Sequence, residues 1–171
     1  VHRKIALLGL RSVGKTSLTN AFVSGTFDEL YDPTIENTYH KIIRFRRVHF
    51  STDIIDTAGM VCLFNYLIFF NLITCICLNW SIYQDDYSRL SRNASVGVHG
   101  YVLVFSLISR QSFDRISQIN DALLHALGDV QDIPRVLVGT MRDIVDQRQV
   151  SRLDAQTLAD SWGVPYMECS S

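Results

Sequence analysis

Residues 9–16 read Gly-Leu-Arg-Ser-Val-Gly-Lys-Thr, a G-x-x-x-x-G-K-[ST] spacing. An apolar run, Ile5 to Leu8, precedes it, and a helical pattern, Ser17 to Val23, follows. That order suits an anion: a buried strand ends, the backbone wraps, and a helix begins with its free N–H groups pointing at the wrapped group. Gly9 and Gly14 let backbone amides approach phosphate oxygens with no Cβ in the way. Lys15 is expected to bridge β- and γ-phosphates, and the Thr16 hydroxyl to ligate Mg²⁺. A phosphate loop alone fits kinases, ATPases and GTPases equally. Asp56-Thr57-Ala58-Gly59 is a second element: a carboxylate at a strand end can hold Mg²⁺ through water, and the glycine amide can sense a γ-phosphate. Thr34, in the intervening loop, offers a second hydroxyl to the metal.

The elements that must position these groups alternate. Lys4 to Leu8 reads as a buried parallel strand and Lys15 to Ser24 as a helix closed by Gly25. Thr26 to Asn37 is polar, contains Pro33, and reads as a loop. Thr38 to Phe45 and Val48 to Ile55 form a hairpin through a basic turn at Arg46-Arg47. Val98 to Leu107 is a further strand. Ser109 caps a helix that runs to about Leu127 and stops at Gly128. Arg135 to Val138 is a strand, Ser151 caps a helix to about Trp162, and Pro165 to Glu168 closes the series. Strands alternating with helices, after one early hairpin, make an α/β fold with a mostly parallel sheet covered on both faces. Right-handed crossovers then collect the loop ends on one rim, where ligands bind.

The bulk numbers exclude several classes. The chain has 171 residues and a net charge of −1, so it reads as one domain with no basic stripe for nucleic acid or acidic lipid. Four cysteines at irregular spacing make no secreted framework and suit a reducing compartment. Cys75-Ile76-Cys77 lacks a second ligand pair for a metal site. His2, His40, His49 and His125 show no ligand spacing either and read as surface or packing residues. No signal peptide is evident, and a chain starting on Val1 and stopping at Ser171 reads as trimmed.

Tyr31-Asp32-Pro33-Thr34-Ile35-Glu36-Asn37-Thr38-Tyr39 resembles the first switch of Ras-type small GTPases. Arg11-Ser12 and Glu36-Asn37-Thr38 resemble the Rheb branch, as do His99-Gly100-Tyr101-Val102-Leu103-Val104 and Ala159-Asp160-Ser161-Trp162-Gly163. The resemblance covers nearly the whole chain. It implies the P-loop NTPase small G domain: six strands, mostly parallel, with one antiparallel edge hairpin strand and the final helix missing. It also implies a GTP/GDP switch acting on the TOR kinase complex through residues Tyr31 to Tyr39. A tuberin-type activating protein would oppose it, and an unseen C-terminal lipid would hold it on the cytoplasmic face of membranes.

Carried over by position, Ser12, Val13, Gly14, Lys15, Thr16 and Ser17 cradle the phosphates. Phe27 packs on guanine, and Tyr31 and Pro33 belong to the loop closing over the nucleotide. Thr140-Met141-Arg142-Asp143 stands at the family's N-K-x-D, and Ser170-Ser171 where the family has S-A-K. Asp143 accepts both N1–H and N2–H₂ of guanine, which adenine does not offer. Met141 keeps an unbranched apolar stem beside the ring. Arg11 replaces a glycine next to the γ-phosphate, so its side chain should obstruct an arginine finger and slow hydrolysis.

One stretch departs from the pattern. From Met60 to Gln84 no residue is charged, and this run splits the second switch, which resumes at Asp85-Asp86-Tyr87. Removing Met60 to Tyr83 restores D-T-A-G-Q with Gln84 as the water-orienting glutamine. Removing Val61 to Gln84 leaves Met60 there instead. Three readings compete: a membrane-spanning helix, a hydrophobic lid, and a translated intron. A single crossing would separate strands of one sheet. A lid costs little loop entropy, about 0.6 kcal/mol per doubling of length, but exposes aggregation-prone surface. Val61-Cys62 and Tyr83-Gln84 are encodable as splice-site sequences, which favours the intron. Two functional readings follow: a slow GTPase, with Gln84 or Met60, Thr34, Gly59 and Lys15 at its centre, or a GTP-binding module that scarcely turns over. A P-loop kinase is disfavoured by Asp143 and Asp56-x-x-Gly59.

Overall fold

The computed structural model describes residues 1–25, 36–59, 94, 96–128 and 133–170. Six strands form one sheet in the order β2-β3-β1-β4-β5-β6. They are β1 His2–Gly9, β2 Glu36–Phe45, β3 Val48–Thr57, β4 Gly100–Ser106, β5 Arg135–Thr140 and β6 Tyr166–Glu168. Three α-helices are described: α1 Lys15–Ser24, α2 Arg110–Leu127 and α3 Arg152–Trp162. Among the described strands only β2 and β3 pair antiparallel; the β1–β3, β1–β4, β4–β5 and β5–β6 ladders are parallel. This is the expected α/β sheet with an antiparallel edge strand.

Alternation along β1 explains why both faces are covered. Ala6 and Leu8 point to one side, where Phe113, Ile116 and Leu123 of α2 and Ala155 and Ala159 of α3 join Phe105, Leu103 and Tyr101 in the main core. Leu7 points to the other side and meets Val13, Ile54 and Val104, with Leu18 and Val23 of α1 against them. A strand inside a parallel sheet buries both faces, hence the continuous apolar run. The helix ends follow their caps. The Ser109 and Ser151 side chains accept from Ser112 N and Asp154 N, and Gly25 and Gly163 take left-handed dihedrals at the C-termini.

Most strand boundaries differ from the sequence reading by a residue or two, and three of these differences have a hydrogen-bonding reason. Glu36 and Asn37 belong to β2 rather than the loop, because β3 runs on to Thr57 and pairs Asn37 with Asp56. β4 starts at Gly100 because His99 Nδ1 accepts from Lys4 N (3.1 Å) in place of a main-chain carbonyl. β5 extends to Thr140, which pairs with Ser106. The hairpin turn is as expected but strained: Arg46 and Arg47 hold φ of 45° and 67°. Those are the signs a type I′ turn requires, and non-glycine residues bear about 1–2 kcal/mol each there. His2 and His40, read as unremarkable, instead grip one carboxylate: His2 Nε2 lies 2.9 Å and His40 Nδ1 2.6 Å from the Asp53 oxygens. Three neighbouring strands are thereby linked. Among the described residues, no helix is long and apolar enough to cross a membrane. Residues 60–93 lie outside the described residues, and with them the competing readings of the uncharged run.

A polar clamp holds β6 in place. Arg148 meets Glu168 through two bonds of 2.6 and 3.1 Å, and the Tyr166 hydroxyl donates to the same carboxylate at 2.8 Å. Arg148 chiefly holds the Glu168 carboxyl below its ordinary range, against the effect of burial. A depressed folded-state value stabilises fully above the unfolded value and is lost as pH falls through the folded one. Arg148→Met should therefore cost about 1–3 kcal/mol in urea unfolding at pH 7. Glu168→Gln should flatten the decline of stability below about pH 4.5.

Candidate functional site

The C-terminal ends of β1, β3, β4 and β5 form the rim that carries the predicted residues. Gly9 ends β1 against β4 so closely that a Cβ there would sit 2.2 Å from the Val104 carbonyl oxygen. The next residues curl into a concave turn: Ser12 and Gly14 both take positive φ, 58° and 86°. Left-handed residues set among right-handed ones turn successive amides inward, the geometry of an anion nest. Gly14 is the N-cap of α1 and supplies no side-chain cap. The first amides of this ten-residue helix therefore depend on another acceptor.

Lys15 is buried, and its Nζ donates to the Leu10 carbonyl (2.8 Å) and the Gly9 carbonyl (3.3 Å). Burial is the main force lowering its pKa to about 8; Asp56 pulls upward and Arg11 adds to the fall. Asp56, on β3, is 0% exposed. Thr16 Oγ1 donates to its Oδ2 at 2.6 Å, while its Oδ1 has no hydrogen-bond partner among the described residues. Burial pushes the Asp56 carboxyl up, against the Thr16 hydroxyl and the Lys15 charge. A buried carboxylate oxygen without a partner, beside a threonine hydroxyl, fits Mg²⁺. That ion takes oxygen donors, one or two of them carboxylate, with phosphate and water completing its octahedron.

Gly59 lies against the phosphate loop: a Cβ built on it would fall 2.3 Å from Arg11 Cα and 2.4 Å from Arg11 N. The Arg11 side chain is exposed. On the far side of the rim, β5 ends at Thr140, which is fully buried. Its hydroxyl lies 2.6 Å from the Val13 carbonyl and 3.1 Å from that of Phe105. Thr140 thus ties the loop after β5 to the loop after β1; its spacing in the sequence marks the first loop but says nothing of this hydrogen bond. Met141 holds a positive φ of 59° and accepts from the Ser106 hydroxyl at its sulfur (3.1 Å). Ser106 has no counterpart among the expected site residues, and nothing in the sequence pattern singles it out. The exposed Asp143 has no side-chain partner among the described residues. Cys169 N donates to Gly139 O (2.9 Å) and Arg142 N to Cys169 O (3.2 Å), which sets Ser170 beside this loop.

The rim thus gathers Arg11, Ser12, Val13, Gly14, Lys15, Thr16, Ser17, Asp56 and Gly59 at one end. Thr140, Met141, Asp143 and Ser170 stand at the other. Phe27, Tyr31, Pro33, Thr34, Met60, Gln84 and Ser171 lie outside the described residues.

The model of the Ras family matches residues 4–63 and 82–171. The chain belongs to the Ras family. Within it the Rheb proteins are near relatives. The GTP-binding protein Rheb homolog of Dictyostelium discoideum is 41% identical over 169 residues, covering 99% of this chain and 78% of that protein. The GTP-binding protein rhb1 of Schizosaccharomyces pombe and the GTP-binding protein Rheb of Homo sapiens are each 39% identical at the same coverage. This Ras-family chain is a small GTPase of the Rheb branch, a switch between nucleotide states. The stretch that the family model skips, residues 64–81, falls inside the uncharged run.

The hydroxyl tie between the loops sets an expectation. Thr140→Val keeps the shape and deletes the donor, leaving the Val13 carbonyl without it. An unmade buried hydrogen bond costs about 1–3 kcal/mol. A fluorescent guanine nucleotide should therefore dissociate about tenfold faster from Thr140→Val, and near the parental rate from Thr140→Ser.

Proposed function

We propose that this small GTPase grips GTP and GDP through the residues gathered on the rim and hydrolyses GTP slowly. The observation that carries the reading is the buried Asp56 carboxylate, with one oxygen bonded to Thr16 and the other unpartnered among the described residues. In this reading Ser12 to Ser17 cradle the phosphates, and Lys15 exchanges its two carbonyl partners for β- and γ-phosphate oxygens. Thr16, Asp56 and Thr34 hold Mg²⁺. When bound, that ion neutralises charge developing on the transferred phosphoryl group. Gly59 offers its amide to the γ-phosphate. Asp143 accepts from the guanine edge, with Met141 and Phe27 against the ring, Thr140 holding the loop, and Ser170 and Ser171 alongside. Tyr31 and Pro33 belong to the loop that closes over the site.

Slow turnover follows from two features. The Arg11 side chain stands where an arginine finger would enter. The water-orienting position, Gln84 or Met60, is displaced or occupied by a thioether, and a misplacement of about 1 Å costs about 10²-fold. A module that binds GTP with almost no turnover is the second reading. The uncharged run through the second switch and the break in the family match at residues 64–81 favour it. In cellular terms, the Rheb likeness supports an effector face at Tyr31 to Tyr39 directed at the TOR kinase complex, opposed by a tuberin-type activating protein. It also supports attachment by a C-terminal lipid to the cytoplasmic face of membranes.

Asp143→Asn should weaken guanine nucleotide binding by about 10²-fold or more and improve xanthine nucleotide binding, because the amide donates where the carboxylate accepted. Binding of both, measured by fluorescence titration with and without Mg²⁺, checks this; equal guanine affinity in the variant overturns the base assignment. Single-turnover phosphate release should be slow in the intact chain and rise about 10²-fold when Met60 to Tyr83 is excised. No rise would assign the deficit to Arg11, and release from the intact chain as fast as from other Ras-type GTPases would overturn slow turnover.

A further inference from the structure

The β2–β3 hairpin carries a surface the nucleotide site does not use. Residues 41–50 read Lys-Ile-Ile-Arg-Phe-Arg-Arg-Val-His-Phe, with four cations and no carboxylate in a chain whose net charge is −1. The whole-chain average hides this cluster, so the sequence-level expectation of no basic surface does not hold locally. Lys41 turns inward, donating to the Phe22 and Val23 carbonyls at the end of α1. Arg44, Arg46 and Arg47 remain exposed, with no acidic partner among the described residues. Between them, Phe45 and Val48 face each other across the last rung of the hairpin, 59% and 42% exposed. The Arg46 guanidinium lies 5.3 Å from the Phe45 ring centroid.

We propose that this hairpin tip is a peripheral contact for an anionic lipid bilayer. The arginines engage headgroup phosphate and carboxylate oxygens bidentately, and Phe45 and Val48 enter the interfacial layer beneath them. Two observations favour a bilayer over other polyanions, and a third favours a use for the arginines. A nucleic acid rewards the cations and an aromatic ring but gains nothing from Val48 or the exposed Ile42. The apolar pair sits at a projecting tip, not in a concave groove that would seat a peptide. The arginines also occupy both positive-φ positions of the turn, where Asn-Gly would fit without strain; side chains kept against backbone preference point to a use for them. Because β3 runs parallel to β1, the turn lies at the sheet end away from the rim, roughly 30 Å along a ten-residue strand. A membrane at the tip therefore leaves the nucleotide site open. The proposal does not depend on which nucleotide that site takes.

Co-sedimentation of the intact chain with phosphatidylcholine vesicles, with and without about 30% phosphatidylserine, tests it. The uncharged run at residues 60–84 would favour any bilayer, so dependence on lipid charge is the deciding readout. Binding should be markedly stronger with phosphatidylserine, and that gain should shrink as salt rises. R46N/R47G, which gives the turn its preferred residues, should fold and retain nucleotide as before yet bind those vesicles about 30-fold more weakly. F45S should weaken vesicle binding while leaving its salt dependence. Equal binding to neutral and anionic vesicles, or unchanged binding by R46N/R47G, overturns the proposal. Tighter retention of a short single-stranded RNA than of the anionic vesicles at the same salt reassigns the surface to nucleic acid.

Discussion

A carboxylate with no exposed surface must meet positive charge or surrender its own. Asp56 is in that position at the end of β3, and the rest of the rim is arranged around it. Thr16, one residue into α1, satisfies one of its oxygens, and Lys15 supplies the nearest positive charge. The strand that bears Asp56 lies between β1 and β2, and the residue has no exposed surface. Burial drives Lys15 and Asp56 alike toward neutrality, and their mutual attraction only partly offsets this. A phosphate chain beside Lys15 and a divalent cation beside Asp56 would relieve both at once, each supplying the opposite charge that its neighbour lacks.

Around that centre, the loops are tied by hydroxyl groups rather than by ion pairs. Thr57 donates to the Leu7 carbonyl (2.6 Å), binding β3 to β1 just before the phosphate loop. Thr140 does the same from β5 to Val13. A threonine hydroxyl reaches one carbonyl with little side-chain entropy to lose, and its methyl packs in the core. This makes Thr140 an adequate tether between β5 and the turn at Val13. It also joins the loop after β5 directly to the loop after β1.

The phosphate loop, the Asp56-x-x-Gly59 element and the alternation of strands with helices were legible because each is a local pattern. Apolar runs of strand length, serine caps and terminal glycines appear in the sequence where the structure has them, to within a residue or two. What was not legible depends on residues far apart in the chain. The extension of β2 back to Glu36 required knowing that β3 continues past Ile55. The hydroxyl ties of Thr57 and Thr140, the sulfur contact of Met141 with Ser106, and the shared grip of His2 and His40 on Asp53 all require the folded register. The basic hairpin was visible as residues but averaged away in the net charge.

The free margins of the sheet complete the account. β2 lies at one edge with a row of main-chain groups open to pairing, and β6, only three residues long, lies at the other. Lys41 and Arg44 lie along β2 itself, with Arg46 and Arg47 in the turn that ends it. Two such margins brought together would repel, while a three-residue strand offers too few rungs to nucleate a ladder. The same cations that crowd the hairpin therefore guard this sheet against joining another copy edge to edge.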